Sequence, residues 1–135
     1  MLNFSISELI KSDIADKNGI KNMPDVASLD NLLQLIFYVL QPLRDKVKRP
    51  IVITSGYRCK KVNQLTGGKT TSQHLNGKAA DFIIVGMSVQ QAIDFVKRSG
   101  IEFDQLIHEK IGNKEWVHIS YNKGNNRKQF IQIKQ

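Results

Sequence analysis

The run Ser72-Gln73-His74-Leu75-Asn76-Gly77-Lys78-Ala79-Ala80-Asp81 sets an imidazole seven residues before a carboxylate. Further on, Glu115-Trp116-Val117-His118 adds a second imidazole, with another carboxylate three residues ahead of it. Two imidazoles and one carboxylate can hold a zinc ion and leave a coordination position open. That is the arrangement of catalytic zinc, whereas structural zinc is usually closed by four ligands, often Cys. Cys59 is the only cysteine, so a closed thiolate site is excluded. The pattern points to metal-assisted hydrolysis with about one zinc per chain.

Within the first run, Gly77 permits a tight bend between His74 and the segment that starts at Ala79. Asp81 stands directly before the apolar Phe82-Ile83-Ile84-Val85. Burying a carboxylate costs several kcal/mol unless something pairs with it, and a zinc ion would do so. Taken alone, the run is read equally well as a turn capped by Asp81 with His74 exposed on a loop. The second segment tips the balance. On a strand, Trp116, His118 and Ser120 share one face, and Val117 and Ile119 the other. Glu115, at the start of that strand, is expected beside the metal. There it would act as the base that takes a water proton and passes it to a leaving amine. Arg58 follows a short apolar run at a turn, where a guanidinium fork suits a substrate carboxylate or a developing oxyanion. Ser72 either braces its loop or binds substrate. Tyr57, Gln73 and Trp116 are candidates to line the cleft. His108 and Glu109 are adjacent, so a strand would point them to opposite faces, and neither is assigned to the metal. Cys59 reads as a packed thiol.

The elements that position these groups can be read in part. Ser5 with Glu8 is a capping box and predicts a short helix through about Ile14, ended near Asn18-Gly19. Pro24 opens a second helical region. There Leu29, Leu32, Leu33, Ile36, Phe37, Leu40 and Leu43 recur at three and four, predicting a long core helix to about Val47. Pro42 is expected to kink or divide it. Pro50 to Thr54 reads as a buried strand, Cys59 to Leu65 as a short helix, and Lys69 to Lys78 as a loop. Ala79 to Val85 reads as a second strand. Ser88 with Gln91 caps a helix that ends at Gly100. Strands are expected at Phe103–Glu109 and Trp116–Ser120, with a fifth at an edge over Gln129–Ile133. Helices first and strands later argue for one α+β domain, residues 1–135, with a mainly antiparallel sheet.

Composition bounds the rest. The chain has 135 residues, 41% hydrophobic and 24% charged, as a globular protein does. Its net charge of +8 favours polyanions, including nucleic acid, anionic lipid and cell-wall polymers. A nucleic-acid-binding domain would need clustered Lys and Arg with exposed aromatics or a recognition helix, and the sequence offers neither. No apolar stretch approaches the roughly 20 residues of a bilayer span, so no membrane partner is expected. The start lacks a secretory pattern, so synthesis in the cytoplasm is expected. A monomer is expected as well.

Ser72 to Asp81 resembles the Ser-x-His-x-x-Gly-x-Ala-x-Asp signature of zinc D-alanyl-D-alanine carboxypeptidases and related peptidoglycan peptidases. These are the LAS-type metallopeptidases, with phage-endolysin-like members. Glu115-Trp116-Val117-His118 resembles their Glu-x-x-His motif, and Ser55-Gly56-Tyr57-Arg58 resembles the segment bearing their substrate-stabilising Arg. Trp116 stands where some relatives have His. The resemblance implies the small α+β fold shared with hedgehog signalling domains, N-terminal helices packed on the sheet. It implies zinc on His74, Asp81 and His118, with Glu115 as base and Arg58 as the stabilising cation. It also implies peptidoglycan stem peptides as substrate, cut by a carboxypeptidase or an endolysin-type endopeptidase. The absence of a visible signal or an attached wall-binding domain resembles a phage or prophage lysis enzyme, reaching the wall after holin-mediated release. The alternative is a non-catalytic, zinc-containing wall-binding module of the same fold.

Overall fold

In the computed structural model, which describes residues 2–135, Ser5 and Glu8 form the expected capping box, each side chain accepting the other's backbone N–H. The helix it opens, α1, is only Ile6–Ile10. The Ser12 hydroxyl then accepts the Ala15 N–H and starts α2, Asp13–Lys17. The single helix predicted through Ile14 is therefore two, because a second hydroxyl satisfies the free donor of a new first turn. Each such cap stabilises its helix by about 1 kcal/mol.

Asp25 caps α3, Val26–Leu35, through the Ser28 N–H at 2.8 Å. The chain stays helical through a π turn at Ile36–Leu40 and into α4, Gln41–Val47. Pro42 thus leaves the helix undivided. A proline ring in an α-helix clashes with the carbonyl four residues back, here that of Tyr38, and offers it no N–H. The wider turn sends the Gln41 N–H to the Ile36 carbonyl instead. Leu32, Leu35, Val39, Leu40 and Leu43 are fully buried, and truncating any of them to Ala should cost about 2–5 kcal/mol. The segment Val26–Val47, 22 residues, is long and apolar enough to match a membrane span by length and composition. Here its buried side belongs to the domain's own core.

Five strands form one mixed sheet in the order β1-β2-β4-β3-β5: β1 Ile51–Ser55, β2 Ala79–Ile84, β3 Gln105–Ile111, β4 Lys114–Ser120 and β5 Gln129–Lys134. The first three pairings are antiparallel, and β5 lies parallel to β3 at the edge. Between β1 and β2 lie α5, Lys60–Leu65, and a 3₁₀ turn at Gln73–Asn76 inside the segment expected to be loop. Between β2 and β3 lies α6, Val89–Ser99, capped by Ser88 and Gln91 as predicted.

Strand alternation divides the sheet's residues between two faces. Phe82, Ile84, Leu106, Val117 and Ile119 share one face and are buried in the core cluster with Ala92, Ile93 and Val96 of α6. Asp81, His118, Trp116 and Glu109 share the other face. Asp81 and His118 are direct partners in the β2–β4 ladder.

Candidate active site

His74 reaches the sheet from the 3₁₀ turn. Ser72 caps that turn, its hydroxyl accepting the His74 N–H at 3.2 Å. Gly77 ends the turn at φ 71°, a left-handed conformation where a Cβ would overlap the Ser28 carbonyl oxygen. Only glycine meets both demands at low cost. The turn thereby packs against α3, and the Arg58 N–H donates to the His74 carbonyl at 3.1 Å.

His74, Asp81 and His118 converge, with one potential ligand atom from each lying within 4.8 Å of the others. All three are buried. His74 Nδ1 is 2.7 Å from the Gly56 carbonyl oxygen. A carbonyl can only accept, so Nδ1 carries the hydrogen and Nε2 of the neutral ring keeps its lone pair. That Nε2 lies 3.3 Å from Asp81 Oδ1, and His118 Nδ1 lies 3.0 Å from the same oxygen. Burial pushes the His74 pKa down, against the pull of the Asp81 carboxylate. Burial alone would raise Asp81, but the His74 and His118 imidazoles together outweigh it and hold the carboxyl well below its ordinary range. His74 Nε2 therefore faces Asp81 Oδ1 directly. A cation satisfies both. Two imidazole nitrogens and a carboxylate oxygen are zinc donors, and three of them leave a position open, so the residues fit the metal read from the sequence.

Arg58 is brought to this cluster. Its Nη2 donates to Asp81 Oδ2 at 3.2 Å and its Nε to Ser55 Oγ at 3.0 Å. The guanidinium thus holds the outer carboxylate oxygen while Oδ1 faces the imidazoles. Trp116 lies half-buried on the same face as His118.

Glu115 is not brought there. It sits inside β4 opposite Lys110, an odd number of residues from His118, and so faces the other side of the sheet. Its Oε2 contacts His108 Nε2 at 2.5 Å. The carboxylate on the metal side is Glu109, the direct partner of Trp116. His108 and Glu109 do point to opposite faces, as read from the sequence, but Glu109 faces the site. Burial raises the Glu109 pKa, and the Asp81 charge adds to it, with His118 and Arg58 opposing. A signal for this was present in the sequence. Gly112-Asn113 is a two-residue hairpin loop, and counting back from the pair Ile111–Lys114 sets Glu109 against Trp116.

Among the other candidates, Gln73 donates from Nε2 to Asp104 Oδ2 at 2.9 Å. Ser72 braces the turn as described. Tyr57 is buried in the core cluster rather than lining a cleft. Its backbone N–H donates to the Leu9 carbonyl and its carbonyl accepts from Asn22. Cys59 precedes α5 and packs against the core.

A family model described as Peptidase M15 matches residues 2–120 of the chain. No curated protein matches it.

Proposed function

The chain belongs to the peptidase M15 family, and from that premise we propose that it hydrolyses a peptide bond in peptidoglycan stem peptides, as a carboxypeptidase or an endolysin-type endopeptidase. M15 peptidases are zinc-dependent metallopeptidases. The observation that carries the reading is the convergence of His74, Asp81 and His118 with Arg58 and Glu109 on one face of the sheet. A zinc ion held by the two imidazoles and Asp81 would supply Lewis acidity and lower the pKa of a bound water.

The chain's own groups divide the remaining work. Glu109 is the general base in this reading, taking a proton from the attacking water and returning it to the leaving amine. A carboxyl whose pKa is raised toward neutrality suits both transfers. Arg58 keeps Asp81 oriented and offers its remaining donors to a substrate carboxylate or to charge developing on the scissile carbonyl. The net charge of +8 favours an anionic polymer. A wall substrate means that the protein acts outside the cytoplasm in which it is made, and holin-mediated release is one route.

The test is mass spectrometry of muropeptides after the zinc-loaded protein is incubated with purified peptidoglycan. Stem peptides shortened at one defined bond are expected. Binding to the wall with no bond cut would overturn the reading and leave the non-catalytic wall-binding module.

A further inference from the structure

The segment after β4 ties itself to both ends of the turn that carries His74. At the far end, the Tyr121 N–H donates to the Lys78 carbonyl at 2.9 Å, and Lys78 Nζ donates to Asn122 Oδ1 at 3.0 Å. At the near end the link runs through Asp104, which is 1% exposed. Arg127 grips its carboxylate three times: backbone N–H and Nε to Oδ1 at 3.0 and 2.9 Å, and Nη2 to Oδ2 at 2.8 Å. Gln73 Nε2 is the fourth donor, on Oδ2. These bonds, the Arg127 side chain first, hold Asp104 well below the ordinary carboxylate range. A carboxylate that only accepts leaves the Gln73 amide a single orientation, with its NH₂ toward Asp104.

The same segment holds a strained residue in place. Lys128 has φ 53°, an unfavourable conformation for a side chain with a Cβ. Its N–H donates to the Phe103 carbonyl at 3.1 Å, and the Gln129 N–H donates to the Asp104 carbonyl at 2.9 Å. Strain of this kind persists where the surroundings over-determine the backbone. The connection from β4 crosses the start of β3 here and is fixed at the crossing before β5 begins.

We infer that the C-terminal segment 121–135 is a strap that sets the zinc affinity of the site, Arg127 acting through Asp104 and Gln73 on the turn that carries His74. Arg127 is a positioning residue: its hydrogen bonds end at Asp104, and its effect reaches the metal through the backbone of the turn. The segment lies beyond the residues that match the family model, so the strap is argued from this chain's own hydrogen bonds. It rests on the zinc reading of His74, Asp81 and His118.

The experiment measures zinc affinity by chelator competition in the full chain and in Arg127→Ala, Arg127→Lys, Gln73→Ala and the double Arg127→Ala/Gln73→Ala variant. Groups that orient metal ligands from outside the coordination shell typically contribute about ten- to a hundredfold in affinity, and a weakening in that range is expected for Arg127→Ala. Arg127→Lys should recover only part of it, because an ammonium lacks the planar fork. The double variant should be no weaker than the worse single one, since both residues act along one chain of contacts. Lys97→Ala is the control for general loosening. It removes the ammonium 3.5 Å over the Phe130 ring of β5 and leaves Asp104 untouched, so zinc affinity should not change. Unchanged affinity in folded Arg127→Ala, additive losses in the double variant, or an equal loss in Lys97→Ala would each overturn the strap. Should Arg127→Ala not fold, Gln73→Ala carries the same test. Amide hydrogen exchange at Leu75, Gly77 and Lys78 in metal-free protein reads the strap independently of zinc. Faster exchange is expected in Arg127→Ala, and unchanged exchange also overturns the inference. Wild-type protein that binds no zinc would defeat the metal reading, while the exchange result would still decide the strap.

Discussion

Glu109 lies directly opposite Trp116 in the β3–β4 ladder, one diagonal step from His118 and on its side of the sheet. Glu115, three residues before His118, is turned to the opposite side and engages His108. Exchange of Glu109 for Gln should therefore leave zinc content unchanged and lower turnover at least roughly a hundredfold, the usual share of general-base work. Glu115→Gln should keep most activity. Steady-state kinetics on a stem-peptide substrate decide it, and the reverse ranking would return the base to Glu115.

Arg58→Ala should reduce kcat by on the order of a hundredfold, the typical loss when a positioned donor is removed. Because Arg58 also donates to Asp81, a modest loss of zinc affinity should accompany it. Arg58→Lys should not restore full activity, since one ammonium cannot hold Asp81 and a substrate oxygen in the same fork. A rise in KM alone, with kcat intact, would mean that Arg58 binds substrate without stabilising the transition state.

The metal-free protein should lose stability as the pH falls. His74 is held neutral by burial, so the unfolded chain binds the extra proton first. Stability therefore declines as the pH drops below the unfolded His pKa of about 6.5. Asp81 and Asp104 have depressed folded pKa values. Their contribution is complete above the unfolded Asp pKa of about 3.9 and is lost progressively below it. Denaturant midpoints measured from pH 8 to pH 3 should fall in these two stages, and a flat profile between pH 7 and pH 5 would contradict the first.

Gly56→Ala should damage both fold and site. A Cβ there would overlap the Leu9 carbonyl oxygen, and the Gly56 carbonyl is the acceptor for His74 Nδ1. Overpacking against backbone typically costs about 1–3 kcal/mol, so thermal unfolding should shift down and zinc affinity should fall with it. Wild-type values for both would show that α1 can withdraw without disturbing the site.

The parts of this molecule that a reader of the sequence can find are those whose signal is local. Ser5, Ser88 and the apolar repeat of Val26–Val47 announce their helices because caps and periodicity lie within a few residues of the structure they cause. The grouping of His74, Asp81 and His118 is legible because their spacing is carried by a turn and two strands that leave little freedom. The side on which Glu115 falls is less legible, because closeness in sequence to His118 does not bring closeness in space where strand alternation separates residues an odd number apart. The split at Ser12, the π turn that accommodates Pro42 and the parallel pairing of β5 with β3 were not legible. Each depends on competition between local bonds or on partners far along the chain.

The carbonyl of Gly56 also fixes the proton inventory of metal uptake. By accepting from Nδ1 it leaves His74 already in the tautomer whose Nε2 can ligate, and Asp81 is already ionised. Near neutral pH neither group has a proton to shed when a cation arrives. Metal binding usually releases protons from its ligands; here His74 and Asp81 have none to give. The ionisation heat of the buffer in a zinc titration near neutral pH would therefore carry no contribution from either group.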